Sequence, residues 1–177
     1  MGKRVDPIRK LEDIKRIKAS LVDRPRDHAL FVVGINVALR AIDLLSIKAG
    51  QVKDLAPGEY FFIAERKTSK RRSVIINKES HRAIHRYLSR RHGLLDTDPL
   101  FPSRKGVRTA ISRYWLNRMV QSWCEGIKGD YGSHSLRKTW GAPRGASVHI
   151  KPAAESAARV SLPRRSEPSL GLMEVTT

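Results

Sequence analysis

Eleven consecutive residues, Ala29-Leu30-Phe31-Val32-Val33-Gly34-Ile35-Asn36-Val37-Ala38-Leu39, are apolar nearly all round. Such a run suits a helix buried at the centre of a domain. It is well short of the roughly 20 apolar residues that a membrane span needs, and no other stretch comes closer. The rest of the chain therefore has to supply the layer around it. Upstream, Asp6 and Pro7 are placed as the N-cap and first position of an amphipathic helix whose apolar stripe is Ile8, Leu11, Ile14, Ile17 and Leu21. The segment Asp23 to Asp27, containing Pro25, is expected to break it.

A cation follows the apolar run directly. Arg40 stands between Leu39 and a second short amphipathic segment, Ala41 to Ile47, so its guanidinium starts from a semi-buried position. A buried arginine is costly unless it is paired or faces an anion. Asp43, three residues on, is in reach as an ion-pair partner. A structural pair with Asp43 and an anion-binding role stand open beside each other on the residues alone.

Charge narrows the partners. Lys and Arg number 35 against 17 Asp and Glu in 177 residues, a formal net charge of +18. That balance points to a polyanionic partner, most simply nucleic acid, with a solubilised surface or a ribosome-like structural role as the plainer alternatives. Two segments rich in β-branched and aromatic residues, Glu59 to Ala64 and Ser73 to Asn77, flank Arg66-Lys67-Thr68-Ser69-Lys70-Arg71-Arg72, which reads as a β-hairpin with a cationic tip. Five cations in those seven residues fit a solvated loop, and equally a finger reaching into phosphates. Arg66, Lys70, Arg71 and Arg72 are accordingly assigned to DNA binding, together with Lys138.

The single cysteine, Cys124, excludes an internal disulfide and a multi-cysteine zinc site, and its apolar setting suggests an inert thiol. His81, His85 and His92 have no convincing metal spacing. No metal or cofactor is expected. The N-terminus lacks the order of a signal peptide, and a cytoplasmic protein with no membrane partner is the default expectation. A helix is expected from Lys78 to about Arg91, then a loop over residues 94–106. Thr109 is placed as the cap of a long helix from Ala110 to about Ile127, with Ile111, Tyr114, Trp115, Met119, Val120 and Trp123 as its core face. After the turn over residues 128–133, His134 and Arg137 stand three apart, so on a helix they share a face and can converge on one anion.

Four elements now stand in order: Leu39-Arg40-Ala41-Ile42-Asp43-Leu44-Leu45, the hairpin Arg66-Lys67-Thr68-Ser69-Lys70, Leu100-Phe101-Pro102-Ser103, and His134-Ser135-Leu136-Arg137-Lys138-Thr139. Together they resemble the catalytic domain of the tyrosine recombinase, or phage integrase, family over residues 7–140. The resemblance implies an α+β domain, mainly helical with a small antiparallel sheet, wrapped on duplex DNA. It also implies a chemistry in which a tyrosine hydroxyl attacks a phosphodiester, giving a 3′-phosphotyrosyl intermediate and a free 5′-hydroxyl, without metal or external cofactor. The positions matching the two arginines that hold the non-bridging oxygens are Arg40 and Arg137. Lys67 matches the lysine that protonates the leaving 5′-oxygen, His134 the histidine that assists at the attacking oxygen, and Asp43 an acidic residue that steadies the first arginine. The planar fork of arginine suits phosphate because it donates two hydrogen bonds and stays charged.

The chain departs from the family pattern at both ends. Its N-terminal segment is too short for the separate helical core-binding domain of many members. The family pattern continues past Arg137 with a further His or Trp and then a nucleophilic tyrosine, yet residues 141–177 contain neither Tyr nor Trp, and His149 falls too early to match. Two domains are therefore expected: residues 1–140, recombinase-like but incomplete, and residues 141–177, a tail whose Ala, Ser, Pro, Arg and Gly composition cannot readily form a packed core and is expected to be disordered. A frameshift or gene decay accounts for the abrupt change after Trp140; a natively disordered DNA-binding tail is the rival account. The expected function is that of a DNA-binding member of a recombination family that cannot cleave alone because its nucleophile is missing. It would act as a homo-oligomer, in a mixed oligomer with an intact recombinase, or as a non-catalytic module that blocks recombination sites.

Overall fold

The computed structural model describes residues 4–104 and 108–142. At its centre lies α2 (Pro25–Asn36), in which every residue from Ala29 to Ile35 is buried. The break expected at Asp23 to Asp27 falls slightly earlier, over residues 21–24, and Pro25 starts the next helix: it occupies the first turn, where its missing N–H would have no partner in any case. The apolar run is helical only to Asn36. Val37 closes the last turn on the Val33 carbonyl, and Ala38 then takes a left-handed conformation with φ +53°, which turns the chain out of the helix two residues before Arg40.

Around α2 pack α1 (Leu11–Ser20), α4 (Lys78–Leu88) and α6 (Ser133–Gly141), while α3 (Ala41–Leu45) and α5 (Arg113–Trp123) pack against α6 and against each other. The strands β1 (Tyr60–Ala64) and β2 (Arg71–Ile75) pair antiparallel, with Phe62 opposite Ser73 and Ala64 opposite Arg71. Phe61, Ile63 and Val74 face the core, while Tyr60, Phe62 and Ile75 are exposed, the alternation a half-buried hairpin requires. The fold is thus mainly helical with a small antiparallel sheet.

Three element boundaries differ from the sequence expectation, those of α1 and α5 because tertiary contacts take the groups that would have capped them. Helix α1 begins at Leu11 rather than at Pro7: the Asp6 side chain accepts the Asp130 N–H at 3.1 Å, its N–H donates to the Asp130 carbonyl at 2.6 Å, and the Ile8 N–H donates to Thr139 Oγ1 at 2.8 Å. Helix α4 is capped by Asn77, whose side chain accepts the Ser80 N–H at 2.8 Å, and ends at Leu88, short of Arg91. Helix α5 begins at Arg113, not Ala110, because Ala110 bridges Pro102 in extended conformation and Ile111 donates to the Phe101 carbonyl. Ser112 becomes the cap instead, accepting the Trp115 N–H. That shift also corrects the core face of α5. Leu116, Val120 and Trp123 are buried, Trp123 edge-on to Phe31, whereas Tyr114 and Trp115 are 69% and 54% exposed.

Cys124 is buried, and burial pushes its thiol up to about 12, as expected of an inert side chain. No helix among the described residues is long and apolar enough to cross a membrane. The expectation of a disordered tail lies, from Pro143 onward, outside the described residues.

Candidate active site

Arg40 stands at the N-cap of α3, reached through the left-handed turn at Ala38, and its side chain is 28% exposed. The pair with Asp43 exists, but as a long contact of 3.9 Å. The close partner is Glu65, whose Oε2 accepts Arg40 Nη1 at 2.8 Å. Asp43 serves a second purpose. Its carboxylate is fully buried, and Oδ1 accepts the backbone N–H of Arg66 at 3.0 Å, which fastens the base of the hairpin tip to α3.

Glu65 organises that tip. Besides Arg40 it accepts Thr68 Oγ1 at 3.0 Å and Arg72 Nη1 at 3.4 Å. Its N–H donates to the Lys70 carbonyl and its own carbonyl accepts the Ser69 N–H, with Ser69 left-handed at φ +53°. The hydrogen bond from Arg40, then that from Thr68, pull the Glu65 carboxyl down to about 2, so it is a full anion at neutral pH. Sequence reasoning missed Glu65. The available signal was the lone acid directly ahead of a run of cations. Of those cations, Arg71 lies over the Phe62 ring at 3.7 Å and Arg72 is held by Glu65. Arg66, Lys67 and Lys70 are exposed at the tip.

Helix α6 carries the other two groups, and its placement is fixed at both ends. Gly132 precedes it because a Cβ there would stand 2.4 Å from Asn117 Oδ1, the atom that accepts the first helical N–H, from Ser133, at 3.0 Å. Ser135 Oγ accepts the Gly132 N–H. In the middle, Leu136 drops onto Gly34 of α2, where an added Cβ would stand 2.8 Å from Leu136 Cδ1 and 3.3 Å from Leu44 Cδ2 of α3. Gly34 thus lets α2, α3 and α6 meet closely. Thr139 donates to the Ser135 carbonyl while accepting the Ile8 N–H. Lys138 donates to the Val5 carbonyl at 2.7 Å, holding the N-terminal segment against α6.

On α6, His134 is exposed and Arg137 half-buried, about one helical turn apart. Burial, and then the fields of Arg137, Lys138 and Arg40, hold the His134 imidazole below its ordinary 6.5. At pH 7 it is neutral and keeps a lone pair able to take a proton. Arg40 and Arg137 thus both lie within electrostatic reach of His134. The hairpin bearing Lys67 is tied to Arg40 and α3 through Glu65 and Asp43. Two arginines and a neutral imidazole in such reach of one another are groups that can offset the charge on the non-bridging oxygens of a phosphodiester and take a proton beside it.

A sequence model of the phage integrase family matches residues 10–143. The chain belongs to the phage integrase family. Its similarity to the probable integrase/recombinase YoeC of Bacillus subtilis (strain 168) is 36% identity over 141 residues, 77% of this chain and 73% of that one. Among solved structures, the XerA recombinase matches 77% of this integrase-family chain and 50% of its own length, at 23% identity and TM-score 0.62. The lambda integrase (residues 75–356) bound to DNA matches 79% and 41%, at 14% identity and TM-score 0.54. The chain therefore has the tyrosine recombinase catalytic fold and spans about half of the XerA chain or less of the other.

Proposed function

We propose that the chain binds duplex DNA and grips one phosphodiester as the phosphate-holding, proton-transferring part of a site-specific recombinase, and that it forms no covalent intermediate with its own residues. What supports this reading is that His134 shares α6 with Arg137 and feels the charges of both Arg137 and Arg40, the latter on α3. Arg40 and Arg137 each offer planar N–H forks to the non-bridging oxygens, and their charge offsets what develops in the transition state. Lys67, exposed at the tethered tip, supplies a proton to the leaving 5′-oxygen, and neutral His134 accepts one at the attacking oxygen. Arg66 and Lys70 extend the contact along the backbone. Lys138 donates to the Val5 carbonyl and so also serves the fold.

The nucleophile comes from outside these residues. The four tyrosines are Tyr60, Tyr87, Tyr114 and Tyr131. Tyr131 donates its hydroxyl to the Lys128 carbonyl, Tyr87 is buried beneath the opposite end of α2, and Tyr60 and Tyr114 lie on the exposed faces of β1 and α5. A mixed oligomer, in which an intact recombinase donates the tyrosine, uses the site fully; in the absence of such a donor the chain occupies recombination sites without cutting them.

Fluorescence anisotropy at fixed salt tests the binding half. A duplex is expected to bind more tightly than an RNA of equal length, and Arg40→Gln with Arg137→Gln to reduce the slope of log K against log salt by about 1, since both arginines share one phosphate. RNA outcompeting the duplex, or an unchanged slope, would contradict the reading.

A further inference from the structure

The outward positions of the hairpin alternate with those it spends on the core. Tyr60 stands opposite Ile75, Phe62 opposite Ser73, and Ala64 opposite Arg71. The solvated face of a half-buried antiparallel pair is ordinarily polar. Here Tyr60, Phe62 and Ile75 are 57%, 40% and 47% exposed, and they are neighbours: two are directly paired and the third lies two residues along β1 on the same face. Single exposed apolar residues are ordinary, whereas a contiguous group on one face marks an interaction surface.

The surface has a particular chemistry. Tyr60 and Phe62 meet edge to face, with ring centroids 5.3 Å apart and planes at 82°. Arg71 lies over the Phe62 ring, 3.7 Å from its centroid, and is itself exposed. A guanidinium stacked in this way offers its own plane as a further stacking surface. Flat π surfaces with positive charge beside them are what a nucleobase and its phosphate require. The surroundings agree in charge. The face runs into the tip, where Arg66 and Lys70 are exposed, and Glu65, the acid at the tip, is already engaged by Arg40, Thr68 and Arg72. A polypeptide partner has no need of that cationic surplus, and a paired duplex cannot use the rings, because its bases are stacked on one another. An unpaired strand uses both.

We propose that the outer face of the hairpin binds unpaired DNA, its bases stacking on Tyr60 and on the Phe62–Arg71 pair while Arg66 and Lys70 take its phosphates. This goes beyond the grip on a duplex phosphodiester and does not depend on it, since the stacking uses none of Arg40, His134 and Arg137. A strand held here is kept from pairing again beside the tip.

Anisotropy of the full chain at fixed salt tests the proposal, with a short oligo(dT) compared against an abasic deoxyribose-phosphate strand of the same length and charge. The abasic strand keeps the phosphates and removes the stacking. Oligo(dT) is expected to bind about tenfold more tightly. In Tyr60→Thr/Phe62→Thr that ratio should fall to about one while binding of the abasic strand persists. Threonine suits a strand and both side chains are exposed, so an unchanged circular dichroism spectrum separates lost stacking from a lost fold. Arg71→Lys, which keeps the charge and loses the plane, should also lower the ratio, and it decides the matter should the double variant unfold. Tyr114→Thr/Trp115→Thr, which removes the exposed aromatic pair of α5, should leave the ratio as it is. Equal binding of the two strands by the parent, a ratio unchanged in the hairpin variants, or its loss in the α5 variant would overturn the proposal. So would oligo(U) RNA binding more than about tenfold tighter than oligo(dT), which gives the face to RNA. Self-association in sedimentation that Tyr60→Thr/Phe62→Thr abolishes would give the face to a second copy of the chain, and would overturn it as well.

Discussion

At the scale of single residues, Glu65 is the part of the site that explains the rest. It occupies Nη1 of Arg40 and leaves the remaining guanidinium N–H groups, out of five, to aim at a phosphate. It also receives Thr68 and Arg72, so the tip bearing Lys67 and the arginine at α3 are held by one carboxylate. Its folded-state value near 2 lies below the ordinary 4.5, so the stability it contributes is present in full above pH 4.5 and is lost as pH falls toward 2. Glu65→Gln should accordingly be less stable than the parent at neutral pH, with the gap closing between pH 4.5 and 2 in urea denaturation. A gap that stays constant over that window would show that Arg40 is not its partner. His134 shifts the opposite way in function. Its depressed value means that protonation below 6.5 disfavours the folded state, and a bound phosphate should relieve the cationic field and raise the value. NMR titration of the imidazole should place it below 6.5 in the free chain and higher with duplex; an unchanged value would remove His134 from the phosphate.

Among elements, the decisive contact is α6 on α2. Gly34→Ala puts a methyl 2.8 Å from Leu136 Cδ1, and should cost about 1–3 kcal/mol in urea denaturation by forcing α6 outward. Leu136→Ala, at a side chain 1% exposed, should cost about 2–5 kcal/mol. The double variant should lose less than the sum, because the smaller residue vacates the space the new methyl needs. Strict additivity would mean that the two helices do not meet there. The elements themselves were largely legible. The apolar run foretold α2, alternating residues the hairpin, and three-residue spacing the shared face of His134 and Arg137. The errors fall where side chains are spent across the molecule. Asp6 looks like a cap but pairs with Asp130; Thr109 looks like one but lies where the chain bridges Pro102 and Phe101 in extended form. Tyr114 and Trp115 match a core stripe by spacing but stand in the first turn of α5, where they are exposed. Glu65 could not be paired with Arg40 from 25 residues away without knowing how the hairpin docks.

For the whole molecule, a net charge of +18 predicts that the proposed association with duplex is steeply salt-dependent and mostly independent of sequence. The proposed phosphate site, Arg40, Arg137, His134 and Lys67, is a smaller part of that field, and residues 141–177 contain no tyrosine. These features together lead to the central claim of phosphate activation without self-cleavage. A nicked suicide duplex, shown by anisotropy to be bound, followed by denaturing electrophoresis and mass spectrometry, tests it most directly. The chain should run free of DNA, with no covalent fraction; an adduct mapped to Tyr60, Tyr87, Tyr114 or Tyr131 would contradict the account.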